Sequence, residues 1–403
     1  MKYIHRFIVL ILVCILCFSF FSVGLIYGKR VENGEISLIE PVNPTKVERL
    51  KQIIRENFLF DYDENKLNTY MYKGIFEGLE DPYSEYLTKE EYMALQEDVQ
   101  GEFEGIGVVV TKDGDYIQVV SPVDGSPAAK AGIKAGDYIT AIDGESYSAA
   151  SFQEATKKMR GLKGSEVTVT VQRKKGNSFE TLEFTLIRDT IPLLTVSSKM
   201  LDEQIAYLRI SSFDSNTAKE FKTEMEKVLQ KNAKAVILDL RSNPGGLVDT
   251  GTKVADMLLP EGDIVHQRDK KGNETVISSD KNYYDIPLAV LVDEGTASSS
   301  EILTGALKDY NRGVIIGKNT YGKGIVQRFW ELNDGSGAGV KITVAEFFTP
   351  KKNKIHKIGI QPDIEIDLPK EAKGIGPKFF KEDTQLQKAI EIIREKTETK
   401  NPL

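Results

Sequence analysis

Cysteine is almost absent from this chain. Of its 403 residues two are cysteine, Cys14 and Cys17, and both fall inside one apolar run near the start. Everything beyond that run therefore lacks a disulfide frame, a thiolate metal site and a cysteine nucleophile. Histidine is nearly as scarce: of three, only His266 and His356 lie beyond the first segment. They are far apart and belong to no H-E-x-x-H pattern, so neither a metal site nor a cofactor is expected. Positive charge is also in deficit, with 53 Lys and Arg against 60 Asp and Glu and a formal net charge of −7. A surface of that sign does not attract a polyanion, which argues against nucleic acid as a partner. Internal repeats and low-complexity tracts are missing as well. The composition, 40% hydrophobic and 28% charged, is that of a folded chain, and its length calls for two or three compact units.

What the sequence does hold begins with one long hydrophobic run. Residues 7–27 contain no charge, with Lys2, His5 and Arg6 before them and Lys29 and Arg30 after. About twenty residues at ~1.5 Å rise each can cross a ~30 Å hydrocarbon core. Residues 1–28 are therefore expected to be a membrane anchor; the alternative, a cleaved signal segment, meets only a weak cleavage site in SVGLIYG. Basic residues flank both ends, so charge leaves the orientation open. Bulky Val13 and Leu16 precede the two cysteines and speak against lipid attachment there, which leaves them as small membrane hydrophobes.

Residues 29–44, polar and with two prolines, read as a linker. Residues 45–100 turn helical, with Val47, Leu50, Ile53 and Ile54 at helical spacing and a turn at Asp81-Pro82. A helix from about Lys89 should follow Thr88, an N-cap with Glu91 three positions on. Residues 101–187 alternate as strands, for example Val167, Val169 and Val171. From 188 to 375 the texture is α/β. The short apolar runs at 235–240, 287–292 and 313–317 read as buried strands, separated by helices, of a mainly parallel sheet. Residues 376–403 close with an amphipathic helix bearing Leu386, Ile390 and Ile393. Its apolar face and that of the helices in 45–99 are expected to be exposed and to mediate a homodimer.

Two stretches carry chemistry by resemblance. GEFEGIGV at 101–108, followed by SPAAKAGIKAGDYITAIDG at 126–144, resembles a PDZ domain covering about residues 101–187. Gly105 and Gly107 would let the backbone curl so that consecutive N–H groups point one way, a nest for a chain's terminal carboxylate. Ile106 and Val108 would line the pocket for the last side chain. Arg160 would supply charge to the carboxylate or dock the module onto the rest.

The second resemblance rests on DLRSNPGG at 239–246, DEGTASSSE at 293–301 and TYGKGIVQ at 320–327. Together they look like the signature blocks of the C-terminal processing proteases, peptidase family S41, over nearly the whole chain beyond the linker. The resemblance implies an α+β multidomain protein: a PDZ-like β-rich module, a crotonase-like α/β protease core, and helical N- and C-terminal regions. It also implies an extracytoplasmic catalytic part and, as partners, protein substrates with accessible C-terminal tails. Carried over, Ser298 is the nucleophile, Lys323 its general base and Gln327 the residue that orients the lysine. Thr296 and Ser299 stand where many members have serine and alanine, and neither change removes a catalytic atom.

Residue chemistry agrees with that assignment. A serine hydroxyl needs an adjacent base, and neither histidine sits in a block of this kind. A lysine can serve only if burial brings its pKa down from ~10.4. Ser298-x-x-Glu301 is also a capping box, and a nucleophile at a helix start gains from the N-terminal field. The backbone N–H of Ser299 would then meet the oxyanion, with a second donor from the Gly245-Gly246 turn, which of the two being open. Gly317 to Gly324 nearly fits a phosphate loop but ends in glycine where a hydroxyl is needed. Two rivals stand beside this reading: a catalytically silent, PDZ-containing regulator that binds tails, and a Ser–His–Asp protease using His266 or His356.

Overall fold

Parallel strands apolar on both faces need cover on both sides, and the way this chain provides it positions its functional loops. In the computed structural model the described residues are 29–32, 35–38, 43–176, 178–202 and 204–399. Residues 1–69 and 70–403 form separate compact units.

In the first unit Lys29–Glu32 pairs antiparallel with Glu35–Leu38, a hairpin where a linker was expected. A helix runs over Pro44–Asn57; Asn43 caps it by accepting the N–H of Thr45, and Pro44 takes the first turn, where its missing donor is harmless. The expected anchor at 7–27 lies outside the described residues, and among the described residues no helix is long and apolar enough to cross a membrane.

The second unit is built on a six-stranded sheet whose spatial order follows the chain: β1 Val196–Met200, β2 Ile205–Ile210, β3 Ala235–Asp239, β4 Leu288–Val292, β5 Val314–Gly317 and β6 Ile364–Glu365. Only β1 is antiparallel to its neighbour. Side chains alternate between the faces. Val236, Leu238, Val290 and Val292 face helices α1 Thr217–Gln230, α2 Val248–Asp256 and α3 Ser299–Asp309. Ile237, Ala289, Leu291 and Ile316 face the other way, onto Leu386, Ala389, Ile390 and Ile393 of α4 Thr384–Thr399. The apolar stripe of α4 is thus buried against its own sheet and unavailable for a dimer, contrary to the expectation from periodicity. An amphipathic pattern reports that a face is covered, not by what.

Glu274–Ser279, Gly262–Asp269, Gly339–Phe348 and Ile325–Glu331 form a second, antiparallel sheet. Glu85–Leu87 adds to the edge of Gly339–Phe348. The stretch expected to be helical over 45–100 is therefore interrupted by a strand that belongs to this sheet. After it, Thr88 and Glu91 cap Lys89–Gln100 reciprocally. The PDZ-like module carries its own sheet, ordered Ser178–Ile187, Glu166–Lys175, Tyr138–Ile142, Tyr116–Pro122, Val108–Asp113, with Val108–Asp113 at the edge. Glu102–Gly105 pairs instead with Asp189–Pro192 just beyond the module.

α4 is locked by a buried ion cluster. The fully buried Arg241 guanidinium donates to Asp239 at 2.6 Å, to both carboxylate oxygens of Asp383 at 2.8 Å, and to Gln385 at 2.9 Å. Burial pushes the Asp383 carboxyl up, but its hydrogen bonds from Arg241 and that charge hold it below the usual range. Asp383→Ala would leave Asp239 as the one carboxylate on the buried Arg241 and would take the acceptor from the N–H groups of Gly376 and Leu386, which should lower stability by about 3–5 kcal/mol in urea unfolding at neutral pH. Because the folded pKa is depressed, the wild-type contribution is full above ~4 and fades as pH falls through the lower folded value, so the gap between wild type and variant should narrow in acid.

Candidate active site

β3 and β4 are parallel neighbours, so the loops after them emerge side by side, as at the ligand-binding edge of other parallel sheets. Polar stitches join the two. Asp293 accepts the backbone N–H and the hydroxyl of Ser242, and Ala297 N–H donates to Asn243 O at 2.9 Å. The hydroxyls of Thr296, Ser299 and Ser300 donate to the carbonyls of Leu240, Gly246 and Asn243 at 2.8, 2.8 and 3.1 Å. All three residues are fully buried. Of the four adjacent hydroxyls, only that of Ser298 donates to no protein group among the described residues, and only Ser298 lines the cleft outside. Its backbone is strained, with φ 55° and ψ −118°, a conformation that turns the side chain out of the helix start and costs about 1–3 kcal/mol.

Gly245 makes this approach feasible. Its φ is +93°, and a Cβ there would lie 2.7 Å from both Ala297 O and Ser298 Cβ. Its N–H is taken by Asn243 Oδ1 at 2.9 Å. Among the described residues the N–H groups of Ser299 and Gly246 have no acceptor. Of the two glycines, Gly246 is thus the one whose N–H is unspent.

Lys323 lies on the loop between β5 and Ile325–Glu331 and is partly buried. Burial pushes its ammonium pKa down; Lys341 adds to that, and Asp81 and Glu301 oppose it. Its Nζ stands 4.8 Å from the centre of the Tyr83 ring. Gln327 shares the cleft, but its amide donates to Thr343 Oγ1 at 3.5 Å, with no bond to Lys323. Lys323 and Gln327, four apart in sequence, do not share a strand face. Lys323 precedes the strand, and the pairing shifts register between Val326 and Gln327.

Glu301 holds both halves of the site. Its Oε2 accepts the backbone N–H of Ser298 at 2.9 Å and of Lys323 at 2.8 Å, and Oε1 accepts Gly322 N–H at 2.7 Å and the Thr320 hydroxyl at 2.5 Å. The capping box signals only the first of these. The same bonds remove the phosphate-loop reading, since the loop's N–H groups are already spent and a strand, not a helix, follows.

The cleft, about 560 Å³, is lined by Ser298, Lys323, Gln327, Gly245 and Gly246, with apolar walls from Leu95, Val99, Leu193, Phe213 and Phe329. His266 and His356 do not line it; His266 Nε2 faces Asp263 at 3.3 Å. A smaller cavity of about 80 Å³ lies between the edge strand Val108–Asp113 and the helix Phe152–Met159. Ile106, Gly107, Val108 and Arg160 line it. Gly107 has φ +75°, and a Cβ there would collide with Ser126. Gly105 departs from expectation: it ends a regular strand, pairs with Arg160 and does not line the cavity. Arg160 donates to Glu97 at 2.8 Å, with its guanidinium 4.9 Å from the Phe103 ring.

Glu301→Gln keeps the shape but puts an NH₂ where an oxygen accepted N–H donors. Each buried donor left unpaired costs about 1–3 kcal/mol, so urea unfolding should show a loss of at least that size.

Residues 204–366 match the model of peptidase family S41, and residues 118–173 match that of the PDZ domain. A Staphylococcus aureus relative (strain MSSA476), named "Probable CtpA-like serine protease", is 38% identical over 335 residues, which cover 82% of this chain. The chain spans 66% of that relative's length. A relative of the same name from Staphylococcus saprophyticus is 35% identical over 368 residues, 90% of this chain and 74% of its own. A solved photosystem II D1 C-terminal processing protease is 32% identical, covering 81% of this chain and 89% of that one, with a TM-score of 0.46. With identity at this level along most of its length, and a PDZ domain ahead of the core, the chain belongs to peptidase family S41.

Proposed function

We propose that this chain is a serine endopeptidase that captures protein C-terminal tails and cuts them through a Ser298–Lys323 dyad, gated by its PDZ domain. The observation that carries the proposal is the distribution of hydroxyls at the start of α3: three are spent on backbone carbonyls, and the fourth, on a strained backbone, opens on a cleft it shares with a lysine whose pKa is lowered. Neutral Lys323 takes the Ser298 proton as the oxygen attacks the scissile carbonyl. The N–H groups of Ser299 and Gly246 meet the oxyanion, helped by the positive end of α3. Lys323 returns the proton to the leaving amine, and water, activated by the same lysine, releases the acyl group. Gln327 would steady the lysine in its working position. An incoming tail would add to the edge strand Val108–Asp113, its carboxylate at the turn of Gly107 and its last, apolar side chain against Ile106 and Val108. Gating has a physical route: Glu97 of the helix Lys89–Gln100 holds Arg160 beside the tail groove, while Leu95, Asp98 and Val99 of the same helix line the catalytic cleft.

A silent tail-binding regulator would have no use for a strained serine beside a half-buried lysine. In a β-casein digestion assay, Ser298→Ala and Lys323→Ala should both lose activity by 10⁴-fold or so while keeping the wild-type fold; equal turnover by either variant and wild type would end the dyad reading. Activity should climb with pH, since the base works neutral, and a peptide ending in a free carboxylate should compete better than its amide.

The tether at residues 7–27 stays part of this proposal on sequence length alone, with the catalytic part outside the cytoplasm. A second copy is proposed for the apolar face of the first unit, where Leu50, Ile53, Phe58 and Leu59 are exposed. Sedimentation equilibrium should find a dimer that Leu50→Glu with Ile53→Glu converts to monomer; an unchanged mass would remove that surface from the interface.

A further inference from the structure

Tyr83 lies far from the dyad in sequence, yet its ring is the surface on which Lys323 rests. Several bonds hold it there. Its backbone N–H donates to Asp81 Oδ1 at 3.1 Å. The next residue, Ser84, donates its hydroxyl to Asp81 Oδ2 at 2.6 Å and accepts Thr343 N–H at 3.0 Å. Beyond it, Glu85–Leu87 is paired into the second sheet, so the backbone under Tyr83 is pinned on both sides. The phenol oxygen stands 3.3 Å from the hydroxyl of Tyr321, two residues before the base. Lys323 Nζ is 4.8 Å from the ring centre, while among the described residues no hydrogen bond joins it to Ser298.

An aromatic face attracts an ammonium through its quadrupole and has no such hold on a neutral amine. The contact is therefore selective for the protonation state that cannot act as a base. We propose that Tyr83 is a positioning residue that grips the ammonium of resting Lys323 on its ring, apart from Ser298, and releases the side chain toward the serine when the proton leaves. Position and protonation of the base become one event. The phenol itself stays neutral, its pKa pushed up to about 12 chiefly by the bond with Tyr321. The charged groups facing Lys323 are Lys341 from the second sheet, Asp81 from the turn before Tyr83, and Glu301 from α3. A substitution at Tyr83 leaves all three in place.

This inference rests on Lys323 being the base, so its test separates the two. The full chain is labelled with ¹³Cε-lysine in a Ser298→Ala background, and the Lys323 signal is assigned by its loss in Lys323→Arg. Tyr83→Leu keeps the apolar bulk and removes the quadrupole, so the Lys323 midpoint should fall by about half a pH unit. Tyr83→Phe keeps the ring and should stay with wild type, which also guards against a fold defect. With Ser298 present, the rising limb of the β-casein kcat/KM profile should move to lower pH in Tyr83→Leu and not in Tyr83→Phe. An unchanged or raised midpoint in Tyr83→Leu, or equal shifts in both variants, overturns the role of the ring. A shifted midpoint with an unmoved kinetic limb overturns its part in turnover. Activity persisting in Lys323→Ala would instead sink the dyad, whatever the titration shows.

Discussion

The geometry of the cleft depends on one buried carboxylate. Glu301 sits in the first turn of α3 with no exposed surface, where a charge is tolerated only if its lone pairs are filled. Here four donors fill them, and two are the backbone N–H groups of Ser298 and Lys323. Burial pushes the carboxyl pKa up, and the four donors pull against that. The loop after β4 and the loop after β5 are thereby tied through a single side chain. Such a tie is rigid because loosening either loop leaves a polar group unsatisfied in a dry interior.

The remaining features are arranged around that tie. Thr296, Ser299 and Ser300 fasten the loop after β4 to the loop after β3, which leaves Ser298 strained and free. Arg241, at the base of the loop after β3, anchors the same region to α4 through Asp383. The second sheet brings Gln327 and Lys341 to the cleft, Lys323 enters from the loop just before that sheet's strand, and Tyr83 is delivered by the short strand that follows it.

Much of this was legible in the residues. The three buried strands at 235–240, 287–292 and 313–317 could be read because a parallel sheet's strands are apolar throughout. The order of blocks around Ser298 and Lys323 identified the family, and the scarcity of histidine left the lysine with little competition. The strands at Val196–Met200 and Ile205–Ile210 were harder: Ser197, Ser198, Lys199 and Arg209 break the apolar signal. The stripe on α4 was visible, but its partner was not, and the strand pairing of Gly105 is not revealed by spacing.

By itself the sequence determined the class of the molecule, its modules, and which residue types could do chemistry, because those follow from composition, periodicity and local motif. Only the tertiary structure decided which of four hydroxyls is free, which glycine N–H is unspent, and that Tyr83 and Glu301 lie against Lys323. Those outcomes depend on long-range hydrogen bonds and ring contacts between segments far apart in the chain, and local sequence carries no record of them.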